Sequence, residues 1–272
     1  MALERQSTRC SASTWPKARR TRPGFTLIDV LVSISVIAVL IGVLLPSLGR
    51  ATAAARRVAC ASNVRQIGVG LALYAEDYRG SLPPSIHIAA WTGRSTSSSQ
   101  PQEMMQLRLD EASVGLALVP GGWDGLGVLY SANYLNAAKL FYCTAHRGNH
   151  PFSRYADRFG DYRGVIVSNY HFRGAGPNGS RNLYTIEPSE SALVADGMAT
   201  KLDYNHRIGI NILRADQVVQ WIDDSRRDLA NSLPDDEDSI NSSAAISQAW
   251  NKLDQKSAGS NSDGGSGAGG GS

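Results

Sequence analysis

The stretch from Phe25 to Leu48 constrains this chain most, because it holds one ionisable residue, Asp29, among apolar and small polar side chains. As an α-helix at ~1.5 Å rise it would run roughly 36 Å, enough to cross a hydrocarbon core ~30 Å thick with some tilt. A charge inside such a span costs ~2.5–3.5 kcal/mol at the centre. Asp29 sits near one end, so it marks either a function or an interfacial acid reaching for water. Pro46 cannot donate to the Gly42 carbonyl and should bend or loosen the helix there.

Net charge is +3, but the sign belongs to the N-terminus. Residues 1–24 carry Arg5, Arg9, Lys17, Arg19, Arg20 and Arg22 against Glu4. Without them the 27 basic side chains fall to 21 and the 24 acidic ones to 23, a balance of −2. The positive-inside rule then keeps the N-terminus cytoplasmic and puts everything after Leu48 across the inner membrane, in periplasm or outside. An ordinary secretory signal would want a shorter apolar core and a small-residue cleavage site. Leu45-Pro46-Ser47-Leu48 is a poor one, while an uncleaved signal anchor stays open.

Gly24 followed by Phe25-Thr26-Leu27-Ile28-Asp29-Val30-Leu31-Val32 resembles the type III signal of type IV pilins and type II secretion pseudopilins. The resemblance implies cleavage after Gly24 by a prepilin peptidase and methylation of the new Phe25 amine. It implies an acid as the fifth mature residue, normally Glu and here Asp29, one methylene shorter. Many pilins also carry a proline where Pro46 falls. A new ammonium at Phe25 and the Asp29 carboxylate of a neighbouring subunit can neutralise each other in low dielectric and set the register of a filament. The implied partners are other pilin-like subunits and an inner-membrane assembly platform.

Beyond Leu48 the pattern becomes amphipathic. Val64, Ile67, Leu71, Tyr74 and Tyr78 recur at spacings of three and four, with Arg56, Arg57, Arg65 and Glu76 largely off the stripe. Gly68 and Gly70 leave room for a sheet to pack closely. Gly80, Pro83 and Pro84 end the helix. Thr92 to Gln102 reads as a mobile loop, and Leu107 and Leu109 as a short element. Helical spacing returns at Trp123 to Tyr130, with Leu126, Leu129, Tyr130 and Tyr134 facing a core.

The remainder reads as short strands and turns: Phe141-Tyr142-Cys143, Gly164 to Phe172, and Ser191 to Asp196. A hairpin follows, with Ile208, Ile210 and Ile212 alternating, a turn at Arg214 to Gln217, then Val219 and Trp221. The expected fold is α+β, a long N-terminal helix packed on an antiparallel β-sheet head. The expected divisions are a leader (1–24), a transmembrane and assembly helix (25–48), a spine helix (49–84), a head (85–256) and a disordered Gly/Ser tail (257–272).

His206, nine residues, then Asp216 is similar to the His-x9-Asp-Gly motif of a large pilin-like family that also begins with a prepilin signal. Arg56-Arg57-x-x-Cys60-x-x-Asn63-x-x-Gln66-Ile67-Gly68 and Phe141-Tyr142-Cys143 resemble it too. Gln217 stands where that family has Gly, which leaves the turn type open. The resemblance implies an exported structural protein and assigns no chemistry to His206 or Asp216.

Cys10 would leave with the leader, and Cys60 and Cys143 remain. In an oxidising space they can form a disulfide or stay as two buried thiols. With no Cys-x-x-Cys pair, no zinc site is expected. Asp235, Asp236, Glu237 and Asp238 are candidate calcium ligands, but the Asp-x-Asp-x-Asp-Gly spacing is missing, so a solvated charge run is expected. His146 and His150 are four apart, yet Gly148 and Pro151 argue for a loop. Gly174-x-Gly176-x-x-Gly179 follows Arg173, contains Pro177 and opens no helix, so it is no dinucleotide fingerprint. No catalytic constellation and no cofactor motif emerges, and a structural subunit rather than an enzyme is expected. The alternatives are a membrane-anchored extracytoplasmic binding protein and a DNA-uptake minor pilin; a balance of −2 speaks against nucleic acid.

Overall fold

The computed structural model describes residues 26–88, 104–111, 114–161, 164–236 and 242–259. Gly24, Phe25 and the Thr92–Gln102 loop lie outside them. The chain divides into two compact units, Met1–Gly49 and Arg50–Ser272.

Helix α1 spans Leu27–Asp77, with Pro46 inside it. In the first unit its side chains are exposed along their whole length. Among the described residues α1 is the one helix long and apolar enough to cross a membrane. Its start is a capping box: the Thr26 N–H and hydroxyl both donate to Asp29 Oδ2, at 3.0 and 2.8 Å, and the Asp29 N–H returns to Thr26 Oγ1 at 3.3 Å.

In the second unit, α1 buries Cys60, Val64, Ile67, Gly68, Gly70, Leu71, Tyr74 and Ala75. The stripe read from the sequence is the buried face, except that Tyr78 is half exposed and stacks on Tyr74 at 4.2 Å. The helix ends at Arg79 and Gly80, both at positive φ, with the Gly80 N–H returning to the Ala75 carbonyl at 2.6 Å. A Cβ at Gly68 would lie 2.8 Å from Leu213 Cδ1, so this glycine does let the sheet approach; Gly70 instead makes room for Leu135.

Strand β1 (Gln106–Arg108) pairs antiparallel with β2 (Ile166–Val167). Helix α2 covers only Gly127–Ser131, shorter than the Trp123 to Tyr130 spacing suggests. Gly127 lies against the Leu107 carbonyl, where a Cβ would overlap backbone. Leu126 and Leu129 are buried as expected, and Tyr130 and Tyr134 partly so. Phe141-Tyr142-Cys143 is not a strand. Phe141 closes a 3₁₀ turn (Ala138–Phe141), and Asn169 donates its N–H to the Phe141 carbonyl while its Oδ1 accepts the Cys143 N–H. One turn of helix, α3, follows at Arg158–Asp161.

The main sheet runs β3-β4-β5-β6, all antiparallel, from β3 (Tyr170–Phe172), β4 (Ala192–Asp196), β5 (Gly209–Arg214) and β6 (Val219–Asp223). The region from Gly164 to Phe172 thus splits between two sheets. Ile208 falls outside β5 and is 55% exposed, while every residue of β5 is buried. The alternation of Ile210 and Ile212 holds, and both faces of β5 are buried because a second helix, α4 (Ser242–Gly259), covers the face opposite α1. Ile210 and Ile212 pack with Ile246, Ala249, Trp250 and Leu253, and Leu213 packs with Val64, Ile67 and Leu71 of α1. Arg173 and Asp254 tie α4 to the sheet by a 2.7 Å ion pair. The tail read as disordered from residue 257 carries helix to Gly259; residues 260–272 lie outside the described ones. The architecture is α+β, with a long N-terminal apolar helix and an antiparallel head consistent with a pilin-like protein.

Candidate functional site at the disulfide

In the first unit, Asp29 and Pro46 lie on the exposed apolar part of α1, and the Gly24–Phe25 junction is outside the described residues. Sequence reasoning gave Asp29 an intersubunit role and missed its partner in its own chain, which Thr26-x-x-Asp29 spacing could have revealed.

In the second unit, the structure joins Cys60 and Cys143 by a disulfide, with Cα atoms 5.2 Å apart and a sequence separation of 83. Cys60 comes from α1 and Cys143 from the loop after the 3₁₀ turn. Asn63, one turn along α1, donates through Nδ2 to the Tyr142 carbonyl at 3.1 Å, and Asn169 Oδ1 accepts the Cys143 N–H at 3.2 Å. These bonds hold the loop against the helix.

His206 completes this corner. Its Nε2 lies 3.6 Å from Cys143 Sγ and 3.6 Å from Asp196 Oδ2. Its ring meets Trp221 edge to face at 5.6 Å, and Trp221 carries the Arg57 guanidinium at 4.5 Å. Asp196, at the end of β4, is 1% exposed. Its Oδ2 accepts from the Asn211 backbone N–H at 2.6 Å and side chain at 3.1 Å. Burial still pushes its carboxyl up to about 7. Burial, with Arg57 adding to it, pushes His206 down to about 4. The imidazole is therefore neutral at physiological pH, with a lone pair to offer.

Asp216 is not part of this corner. It sits at the far end of β5, where Oδ1 accepts the Val218 N–H at 2.9 Å and its own N–H reaches the Pro188 carbonyl at 3.1 Å. His206 and Asp216 thus frame one strand: the first anchors its start at the disulfide and the second makes its turn. Gln217 has φ 68°, while Asp216 does not share the positive φ, so the turn is not type I′. The Gln217 carboxamide is buried without a hydrogen bond.

The other candidates stay apart. Asp235 pairs with Lys201 at 2.8 Å on the surface and Asp236 is exposed, while Glu237 and Asp238 lie outside the described residues. His146 Nδ1 bonds Asn205 Oδ1 at 2.8 Å and His150 Nδ1 bonds the Tyr155 hydroxyl at 2.7 Å, so each has a structural partner. Sequence reasoning gave no role to Asp196, Asn169, Asn205 or Asn211. The signal for Asp196 was an acid ending the Ala-Leu-Val-Ala run read as a buried strand, since a buried acid requires donors around it.

A family model matches residues 49–123. It is described as SBP_bac_10, protein of unknown function (DUF1559), and names no activity. The matched stretch includes Cys60, Asn63 and the buried stripe of α1, and stops before Cys143 and His206. No curated protein and no solved structure matches the chain.

Proposed function

We propose that this chain is a pilin-like structural subunit. It is cut after Gly24 by a prepilin peptidase and polymerises through its N-terminal helix in a type II secretion pseudopilus or type IV pilus-like filament. The observation that carries this reading is the segment from Leu27 to Leu48: apolar, exposed on every side in a single chain, and bearing one acid near its start. Lipid covers such a surface before assembly, and copies of the same helix cover it afterwards. The matched residues support the reading because they include the Arg56 to Gly68 run that carries the pilin-like resemblance. The work of the protein is mechanical, and its partners are its own copies, related subunits and an assembly platform in the inner membrane.

N-terminal analysis of the membrane-fraction protein tests the processing step. The mature chain is expected to begin at N-methyl-Phe25. A chain that still begins at Met1 contradicts the proposal.

A further inference from the structure

We propose that Cys60, Cys143 and His206 are a redox-gated metal site, in which reduction of the disulfide frees two thiolates that bind a zinc-class divalent ion together with the His206 imidazole. The two Sγ atoms and one imidazole nitrogen all lie within 4.8 Å of one another. All three residues are buried, and each comes from a different part of the head, so no sequence spacing announces the set.

The geometry fits the chemistry. Zinc takes sulfur at ~2.3 Å and imidazole nitrogen at ~2.0–2.1 Å, so tetrahedral donors stand roughly 3.3–3.8 Å apart. Cys143 Sγ and His206 Nε2 are already 3.6 Å apart. The two sulfurs must part by rotation about their Cα–Cβ bonds, which breaking the S–S bond permits. The hydrogen bonds from Asn63 to the Tyr142 carbonyl and from the Cys143 N–H to Asn169 do not involve sulfur, so they hold the Cys143 loop in place through the change, while Cys60 stays fixed within α1.

The step balances with an external dithiol as reductant. It transfers two electrons, the S–S bond breaks, two thiols form and the dithiol leaves as its own disulfide. Binding a divalent ion then displaces the two thiol protons to solvent. Two thiolates cancel the ionic charge, which suits a site with this little solvent. Asp196 stands beside the same His206 nitrogen, with Oδ2 at 3.6 Å. Disulfide and metal are alternative occupants of one corner, and either one clamps the loop carrying Cys143 onto α1.

The test uses the full chain in detergent, reduced by a phosphine under anaerobic conditions and titrated with Co²⁺. The reduced protein is expected to bind one equivalent with a thiolate-to-cobalt charge-transfer band that Zn²⁺ abolishes, and the oxidised protein to show no band. His206→Gln should weaken binding by about tenfold or more. A reduced chain without the band, or a His206→Gln variant that binds as tightly, overturns the proposal. Where reduction lowers the near-ultraviolet circular dichroism, Zn²⁺ is expected to restore it in the parent chain and not in Cys60→Ser; failure to restore it in the parent also overturns the proposal.

Discussion

His206 Nε2 and Asp196 Oδ2 lie 3.6 Å apart in a corner of the head closed to solvent. Burial drives both groups toward their neutral forms, and the two shifts act on stability with opposite signs. Asp196 rises from 3.8 to about 7, so between those values the folded state holds a proton that the unfolded state has lost, and stability falls as pH rises. His206 drops from 6.5 to about 4, so between those values the unfolded state holds the extra proton, and stability rises with pH. From about pH 4 to 6.5 the two contributions oppose each other. Asp196→Asn should remove the falling limb, leaving a stability that climbs by up to ~1.4 kcal/mol per pH unit across that window. Denaturant unfolding followed by tryptophan fluorescence checks this, and a variant whose pH profile matches the parent's contradicts it.

Gln217 offers a stabilising change. Its φ of 68° is strained for a residue with a Cβ, and its carboxamide is buried without a hydrogen bond. Gln217→Gly removes both penalties and should stabilise the head by about 1–2 kcal/mol. The unfolding midpoint in denaturant reads the change, and a lower midpoint means the Gln217 side chain contributes more packing against Gly68 than its backbone costs.

The disulfide closes a loop with a sequence separation of 83. The chain-entropy model puts its effect at ~4–5 kcal/mol before strain is subtracted. Cys60→Ala with Cys143→Ala should therefore lower stability by about 3–5 kcal/mol. Equal unfolding midpoints for the parent chain and the double variant, both under non-reducing conditions, would show that the cross-link constrains nothing.

Much of this was legible in the sequence because period alone revealed it. The stripe Val64, Ile67, Leu71, Tyr74 predicts the buried face of α1, and Gly80 its end. The hairpin around Asp216 follows from apolar residues on both sides of a turn. What period cannot show is a second cover on a sheet. Ile210 and Ile212 alternate as one apolar face, but β5 is buried throughout because Trp250 and Leu253 cover that face while Val64, Ile67 and Leu71 cover the Leu213 face. The polar corner was hidden for a related reason. Asn63, Asn169, Asn205, Asn211 and Asp196 come from separate segments, and a hydrogen bond between distant segments leaves no local spacing to find. Cys60 and Cys143 could be named as candidates, but composition alone could not decide between a bond and two thiols.

Asp29 has two roles to separate. It closes the capping box with Thr26, and it carries the one charge of the apolar helix. Thr26→Ala removes the side-chain half of the box and keeps the charge, whereas Asp29→Ala removes both. Asp29→Ala is expected to insert in the membrane and fail to join oligomers, while Thr26→Ala joins them. Quantifying each variant in crosslinked oligomers distinguishes the roles. Equal loss in both would assign the effect to the cap and remove the register argument.

If the chain polymerises as proposed, exposed α1 residues between Leu27 and Leu48 pack against copies of themselves. A photoreactive amino acid at Val36, in membranes with the assembly machinery present, reads this directly. A ladder of adducts at multiples of the mature chain's mass is expected, reduced in the Asp29→Ala background. Crosslinks to lipid or unrelated proteins alone, with no adduct between copies, would contradict it.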